Sequence, residues 1–243
     1  MHLGIRRHLD AAVTLPIRAV VRREFKTQQF KRYNERPVEF AFLFRAIARL
    51  APRSILDVGS GTTAVPHLMR NCGPVVTATD NVRDYWPRGM TNRHYYVLDD
   101  DIRHTRLHDT FDMVTCISTL EHIVPAEEAV RSMLGRLRPG GHLVITCPYT
   151  EREHVDNVYA LPGSSRAGGR KRYVAQSFSR VDLDRWFCGA GEIVEQEFWR
   201  YWTGAHWTEG TEIIPPEPSS AGRPHQHTCL LVRKLLTADG SRP

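Results

Sequence analysis

Apolar residues in this chain cluster in short, β-branched runs, at 55–58, 75–79, 94–98, 113–117 and 143–147, which read as buried strands. Helical spacing fills the intervals. A helix follows the first run as far as Arg70, and another spans 126–137. Upstream, Phe40, Leu43, Phe44, Ile47 and Leu50 share one face of a predicted helix over 37–50, with Pro37 in its first turn. Alternating strands and helices predict a parallel sheet covered on both faces. Past Pro148 the pattern changes. Residues 150–180 are polar, and the run 163–172, rich in Gly, Ser and Arg, reads as a mobile loop. A helix at 181–188 and a strand near 193–201 follow. Pro215-Pro216-Glu217-Pro218-Ser219-Ser220 is expected to break the chain before a last strand at 228–232.

The first strand enters Gly59-Ser60-Gly61-Thr62-Thr63, where two residues without Cβ allow a tight turn and close approach of a ligand. The helix beyond offers free N–H groups. Asp80 ends the second strand, a position from which a carboxylate accepts from both hydroxyls of a ribose. Gly59-x-Gly61-x-x-Ala64 also fits the dinucleotide fingerprint. Three features argue against that reading. Asp57 would repel a pyrophosphate but suits an ammonium group; an acidic cluster, Asp99-Asp100-Asp101-Ile102, follows the third run; Leu137-Arg138-Pro139-Gly140-Gly141 precedes the fifth strand.

Over roughly 54–148 these motifs, in this order, resemble the class I S-adenosylmethionine-dependent methyltransferases, with Thr63 standing where many members carry a third glycine. The resemblance implies a Rossmann-like, mostly parallel seven-stranded sheet with an antiparallel last strand. It divides the chain into an N-terminal helical arm (1–50) and a methyltransferase domain (51–243). S-adenosylmethionine would contact Gly59, Ser60 and Gly61. Asp57 would face its amino end, Asp80 its ribose, and Asp101 with Ile102 its adenine, Asp100 being the alternative by a one-residue shift; Asn81 is a further cofactor-binding candidate. The backbone of Ser118 would lie along the methionine portion.

The end of the fourth strand carries Ser118-Thr119-Leu120-Glu121-His122-Ile123, and parallel sheets place ligands at the carboxyl ends of their strands. Glu-His at this point resembles the ubiquinone-type and natural-product O-methyltransferases, which makes Glu121 and His122 the candidate catalytic pair. A neutral His near the transferred methyl is a suitable base for an acceptor hydroxyl. The competing role for both is hydrogen bonding that stabilises the fold. Glu121, His122, His154 and Asp156 are candidate oxygen and nitrogen ligands for magnesium, without tight metal spacing. Cys147-Pro148-Tyr149 follows the fifth strand, where the signature of adenine N-methyltransferases follows the fourth and has a second proline, so a base-modifying enzyme is not expected.

Composition narrows the picture. With 243 residues, 41% hydrophobic and 25% charged, the chain suits one α/β domain with additions. It has no apolar run of the ~20 residues needed to span a bilayer, and Arg6, Arg7, His8 and Asp10 interrupt any signal-peptide core. Five scattered cysteines without a CxxC pair suit a reduced, cytoplasmic protein. The whole net charge of +6 lies in residues 1–36, nine Arg/Lys against three Asp/Glu. There Leu9, Val13, Ile17, Val20 and Val21 fall near helical spacing. This basic amphipathic helix is expected to pack on the core or on a second copy, with anionic lipid or substrate as the alternative and nucleic acid unlikely. Trp199, Tyr201, Trp202, His206 and Trp207 are candidates for stacking on a sugar, or for packing. With Tyr33-Asn34-Glu35-Arg36-Pro37 and Asp84-Tyr85-Trp86-Pro87, the chain is more weakly similar to bacterial sugar O-methyltransferases of the methylmannose polysaccharide type. That similarity implies a saccharide acceptor.

Overall fold

A computed structural model describes residues 2–30, 32–86, 90, 95–167 and 174–236, with side chains in the first helix from residue 14 onward and at residue 12. The chain divides into two compact units, Met1–Asn34 and Glu35–Pro243. The first contains helix α1 (His2–Lys26), with Pro16 inside it. Helix α2 (Arg36–Leu50), grouped with the arm on sequence grounds, belongs to the second unit. Its Phe42, Leu43, Ala46 and Ile47 are buried in one cluster with Ile55, Val76, Met113 and Leu231. The amphipathic face of α2 covers the sheet.

The second unit is built on strands β1 (Ser54–Val58), β2 (Val75–Asp80), β3 (Val97–Asp99), β4 (Phe111–Ile117), β5 (Leu137–Pro148), β6 (Gly191–Trp202), β7 (Glu212–Ser219) and β8 (His227–Lys234). They form one sheet in the order β3-β2-β1-β4-β5-β8-β6-β7. β1 to β5 run parallel; β8 is antiparallel to β5 and β6, and β7 is antiparallel to β6. Helices α3 (Val65–Asn71), α4 (Val82–Tyr85), α5 (Ala126–Gly135) and α6 (Arg180–Phe187) complete it. Within β1, Ile55 packs with α2 and α3 while Leu56 and Val58 face the cluster of α5 and α6. Successive side chains point to opposite faces, and both faces are apolar because both are covered.

The sheet has eight strands rather than seven. The proline-rich segment expected to break the chain is part of β7, pairing Pro218 with Trp199 and Glu217 with Arg200. Proline lacks the N–H of an interior ladder but is tolerated at an edge, where that side faces solvent. It also blunts the edge against further pairing. The Leu137–Gly141 motif lies inside β5 instead of before it, with Leu137 paired to Phe111. Of the loop expected at 163–172, residues 168–172 lie outside those described, as do His94 and Pro87. The part that is described is anchored: Ser165 N–H donates to Thr208 O at 2.8 Å, and the Ser164 and Thr208 hydroxyls lie 2.7 Å apart.

At the entry to the central strands, Asp112 clips β4 to β1. Its Oδ2 accepts from the backbone N–H groups of Arg53 and Ser54, both at 2.9 Å, and from Ser54 Oγ at 3.2 Å; Arg138 Nη1 reaches Oδ1 at 2.5 Å. Removing the carboxylate strands two amides. Asp112→Ala is expected to cost about 1–3 kcal/mol in urea unfolding, and a loss below measurement would show that water replaces the clip.

Candidate active site

The carboxyl ends of β1, β2, β3 and β4 border a cavity of about 470 Å³, within the size of small-molecule sites. Its floor is the turn after β1. Gly59 (φ +72°) and Gly61 (φ +55°) both adopt left-handed backbone. Their reasons differ. A Cβ on Gly59 would lie 2.0 Å from Thr119 Cγ2, so this glycine lets the β4 end pack against the turn. At Gly61 the nearest atom is a Trp86 ring carbon at 3.9 Å, so its open side is left to the cavity. Gly61 N–H donates to Asp80 Oδ2 at 2.8 Å, and Trp86 Nε1 donates to Asp80 Oδ1 at 3.2 Å. Burial raises the Asp80 carboxyl above its usual range, against the pull of these donors.

The residues expected to hold the cofactor line this cavity: Asp57, Gly59, Ser60, Gly61, Asp80, Asn81, Asp101, Ile102 and Ser118. Several are also engaged structurally. Asp57 accepts from Ser60 Oγ and Thr115 Oγ1, each at 2.6 Å, so it ties the turn to β4; burial pushes its carboxyl up. Asn81 caps α4 through Asp84 N–H, and Ser118 Oγ donates to Glu39. The acidic cluster separates by role. Asp100 turns into the loop, accepting from Thr105 Oγ1 and Arg106 N–H, whereas Asp101 binds Arg103 through both carboxylate oxygens. Both reach the cavity wall, with Ile102 beside them. A buried acid at the end of β2, an open glycine turn and an apolar wall of Ile102, Ile123 and Val124 fit a nucleoside carrying an amino-acid tail.

One part of the site had no counterpart in the sequence reading. Glu39, on α2, is fully buried and accepts from Ser118 Oγ, from Thr146 Oγ1 at 2.7 Å, from His227 Nε2 at 3.1 Å and from Arg36 Nη1 at 3.0 Å. Burial alone would raise its carboxyl, but these donors, His227 foremost, lower it to about 2. The acid is thus ionised, and it holds Ser118 (φ +44°) at the end of β4. The signal that could have found it is a lone Glu between Val38 and Phe40 on an apolar helix.

The expected catalytic pair divides. His122 lines the cavity, and its Nδ1 lies 2.6 Å from Val174 O. A neutral ring donates there, leaving Nε2 as the basic nitrogen. Burial, with Arg36 adding to it, lowers the imidazole's pKa, so the ring is neutral near pH 7. Glu121 is not among the lining residues. It is 5% exposed, its Oε2 has no hydrogen-bond partner, and Oε1 is 3.8 Å from His122 Nε2. Burial, helped by the neighbouring Glu39 charge, holds it up to about 8, so it is a neutral acid at pH 7.

The magnesium candidates do not converge. His154 pairs with Asp182 at 3.0 Å and Asp156 at 3.3 Å, and no group of three or more His, Cys, Asp or Glu among the described residues is placed to hold a metal ion. The aromatic segment turns inward. Tyr201 and Trp202 are 4% and 5% exposed, and Trp207 packs edge-on against both and beside His227.

An open, mostly parallel sheet in this strand order, with its cavity at the carboxyl ends of β1 to β4, is the class I methyltransferase fold. Residues 28–196 match the family described as "Methyltransferase domain", and the chain belongs to that family. It is 26% identical over 121 residues to the ubiquinone biosynthesis O-methyltransferase of Haemophilus ducreyi, covering 45% of this chain and 51% of that protein. The enzyme of the same name from Yersinia pestis (strain Pestoides F) is 27% identical over 116 residues, covering 44% and 47%. The chain thus spans about half the length of these curated relatives. Among solved structures, the fold is similar to the 1,6-didemethyltoxoflavin-N1-methyltransferase of Burkholderia thailandensis, determined with 1,6-didemethyltoxoflavin and S-adenosylhomocysteine. The TM-score is 0.55 at 16% identity, over 94% of this chain and 90% of that one. It is also similar to an S-adenosylmethionine-dependent methyltransferase from Clostridium acetobutylicum ATCC 824, with a TM-score of 0.50 at 12% identity over 96% and 100%.

Two measurements test this site. Asp80→Ala removes the acceptor proposed for the ribose and should weaken S-adenosylhomocysteine binding about 10- to 100-fold by calorimetry; unchanged affinity would place the nucleoside elsewhere. Glu121 concerns stability. Its folded pKa of about 8 lies above the reference 4.5, so its support for the fold is complete below pH 4.5 and is lost as pH rises towards 8. Glu121→Gln should therefore gain on the wild type over that window, by up to about 4 kcal/mol at pH 8. Parallel stability profiles for the two proteins across this range would contradict the assignment.

Proposed function

We propose that this chain is an S-adenosylmethionine-dependent O-methyltransferase of a small hydroxylated acceptor, with His122 as the base. The observation that carries the reading is a neutral imidazole, aimed by the Val174 carbonyl, on the wall of the cavity that ends the first four strands. The cofactor would rest on Gly59, Ser60 and Gly61, with its ribose at Asp80 and its adenine against Asp101 and Ile102. When bound, it supplies an electrophilic methyl group. The protein's share is to orient the acceptor hydroxyl and to take its proton at His122 Nε2. Glu39 holds the backbone at Ser118, and Glu121 stays neutral beside His122, where a second charge would raise the imidazole's pKa.

Beyond the residues assigned to the cofactor, Phe40, Tyr85 and Trp86 bring aromatic rings to the lining, which favours a planar phenol or quinol. The partial similarity to ubiquinone biosynthesis O-methyltransferases supports the same acceptor class. The mannoside acceptor expected from the aromatic segment loses its main support, because Tyr201 and Trp202 are occupied in packing.

The decisive assay offers methyl-labelled S-adenosylmethionine with catechols and hydroquinones on one side and mannosides on the other. Label on the phenolic oxygen is expected; label on a sugar would restore the saccharide reading, and transfer only to nitrogen would remove the O-methyl assignment. In His122→Gln, kcat should fall about 100-fold with little change in cofactor affinity. The wild-type rate should rise with pH through a midpoint below the ordinary imidazole value of 6.5. Full turnover in the variant, with the same pH limb, would contradict the base assignment.

A further inference from the structure

Helix α1 carries apolar and basic residues in matched stripes, and every side chain described between residues 12 and 34 is exposed. Ile17, Val21 and Phe25 repeat every four residues with Val20 beside them; they are 60%, 54%, 72% and 40% exposed. Arg18, Arg22 and Lys26 repeat at the same spacing one position on, so a basic stripe borders the apolar one. Arg23 borders it on the far side. Glu24 is the sole acid in 12–34, against six Arg and Lys. Beyond the helix, Phe30 and Tyr33 are exposed and meet edge-to-face at 5.7 Å, with Lys31 and Arg32 between them in sequence.

A helix gains most of its stability by burying an apolar face, and α1 has none of that burial along its described side chains. Its charge restricts what can provide the burial. Two copies packed stripe to stripe would bring like charges together. A nucleic acid would use the cations and leave Ile17, Val21 and Phe25 in water. An anionic bilayer satisfies both, taking the apolar side chains into its acyl boundary while headgroup charges meet the flanking arginines. Aromatic residues that end such a helix suit the same boundary. We propose that α1 is an interfacial anchor that lays the chain on an anionic lipid surface. This reading does not depend on the acceptor or the base proposed above.

The test is co-sedimentation of the full chain with vesicles of phosphatidylcholine alone, and with vesicles of three parts phosphatidylcholine to one part phosphatidylglycerol. Binding to the anionic vesicles is expected to be about tenfold tighter or more, and half-molar salt should release it. The charge variant Arg18→Glu/Arg22→Glu/Arg23→Glu and the apolar variant Ile17→Ser/Val21→Ser/Phe25→Ser should each lose it, with unchanged thermal melting of the second unit. If a variant fails to fold, the lipid and salt comparisons on the wild type still decide. No sedimentation with anionic vesicles, equal sedimentation with both compositions, or full binding by folded variants would overturn the proposal. So would a lipid-free dimer that the serine variant dissolves while vesicles capture nothing.

Discussion

The amide of Gly61 donates to the carboxylate of Asp80 at 2.8 Å and, with the Gly59 and Ser60 amides that both donate to Thr79 O, holds the first βα turn against the end of β2. Two features of the sheet make it possible. β1 and β2 are parallel neighbours with Val58 opposite Thr79, so both strands finish at the same level. Gly59 is bare, so Thr119 at the end of β4 can close against the turn from the other side. The cavity is the space between these three strand ends and that of β3. An acid placed one residue earlier on β2 would point through the sheet to the opposite face, and the Gly61 amide would lose its carboxylate partner.

Two buried glutamates at the β4 end show how environment, rather than residue type, assigns chemistry. Glu39 meets four donors and is held near 2; Glu121 meets none at Oε2 and is held near 8. One is therefore a fixed negative charge and the other a neutral acid at the same pH. The charge on Glu39 itself helps keep Glu121 protonated. Between them, Ser118 follows β4 directly and His122 sits on the 3₁₀ turn beyond it, Ser118 tied to Glu39 and His122 to Val174. The arrangement costs stability at Glu121, and the compensating gain is an electrically quiet neighbour for the proposed base.

Much of this was legible in the sequence for identifiable reasons. Buried parallel strands are continuous apolar runs, so β1, β2, β4 and β5 could be read from 55–58, 75–79, 113–117 and 143–147, whereas β3 is a short, partly exposed edge at Val97–Asp99 that the run 94–98 overlaps at only two residues. Gly59, Gly61 and Asp80 stood out because backbone geometry and strand ends demand those residue types. Glu39 did not, since an acid near a helix start reads as a dipole partner, and only the fold brings Thr146 and His227 to it. Adjacent Glu121 and His122 read as a pair, yet on a 3₁₀ turn neighbouring side chains diverge, and one went into the core. The aromatic residues 199–207 were ambiguous between packing and binding because either use needs the same rings. The prolines of β7 read as a break because a one-dimensional pattern carries no signal for which strand lies at an edge.

The central claim is that this turn and the acid at the end of β2 form a nucleoside site, and the most direct measurement is the crystal structure with S-adenosylhomocysteine. The account predicts ribose hydroxyls on Asp80, adenine against Ile102 and the sulfur facing His122. A nucleoside bound outside this cavity, or a pyrophosphate seated on Gly59-Ser60-Gly61, would contradict it.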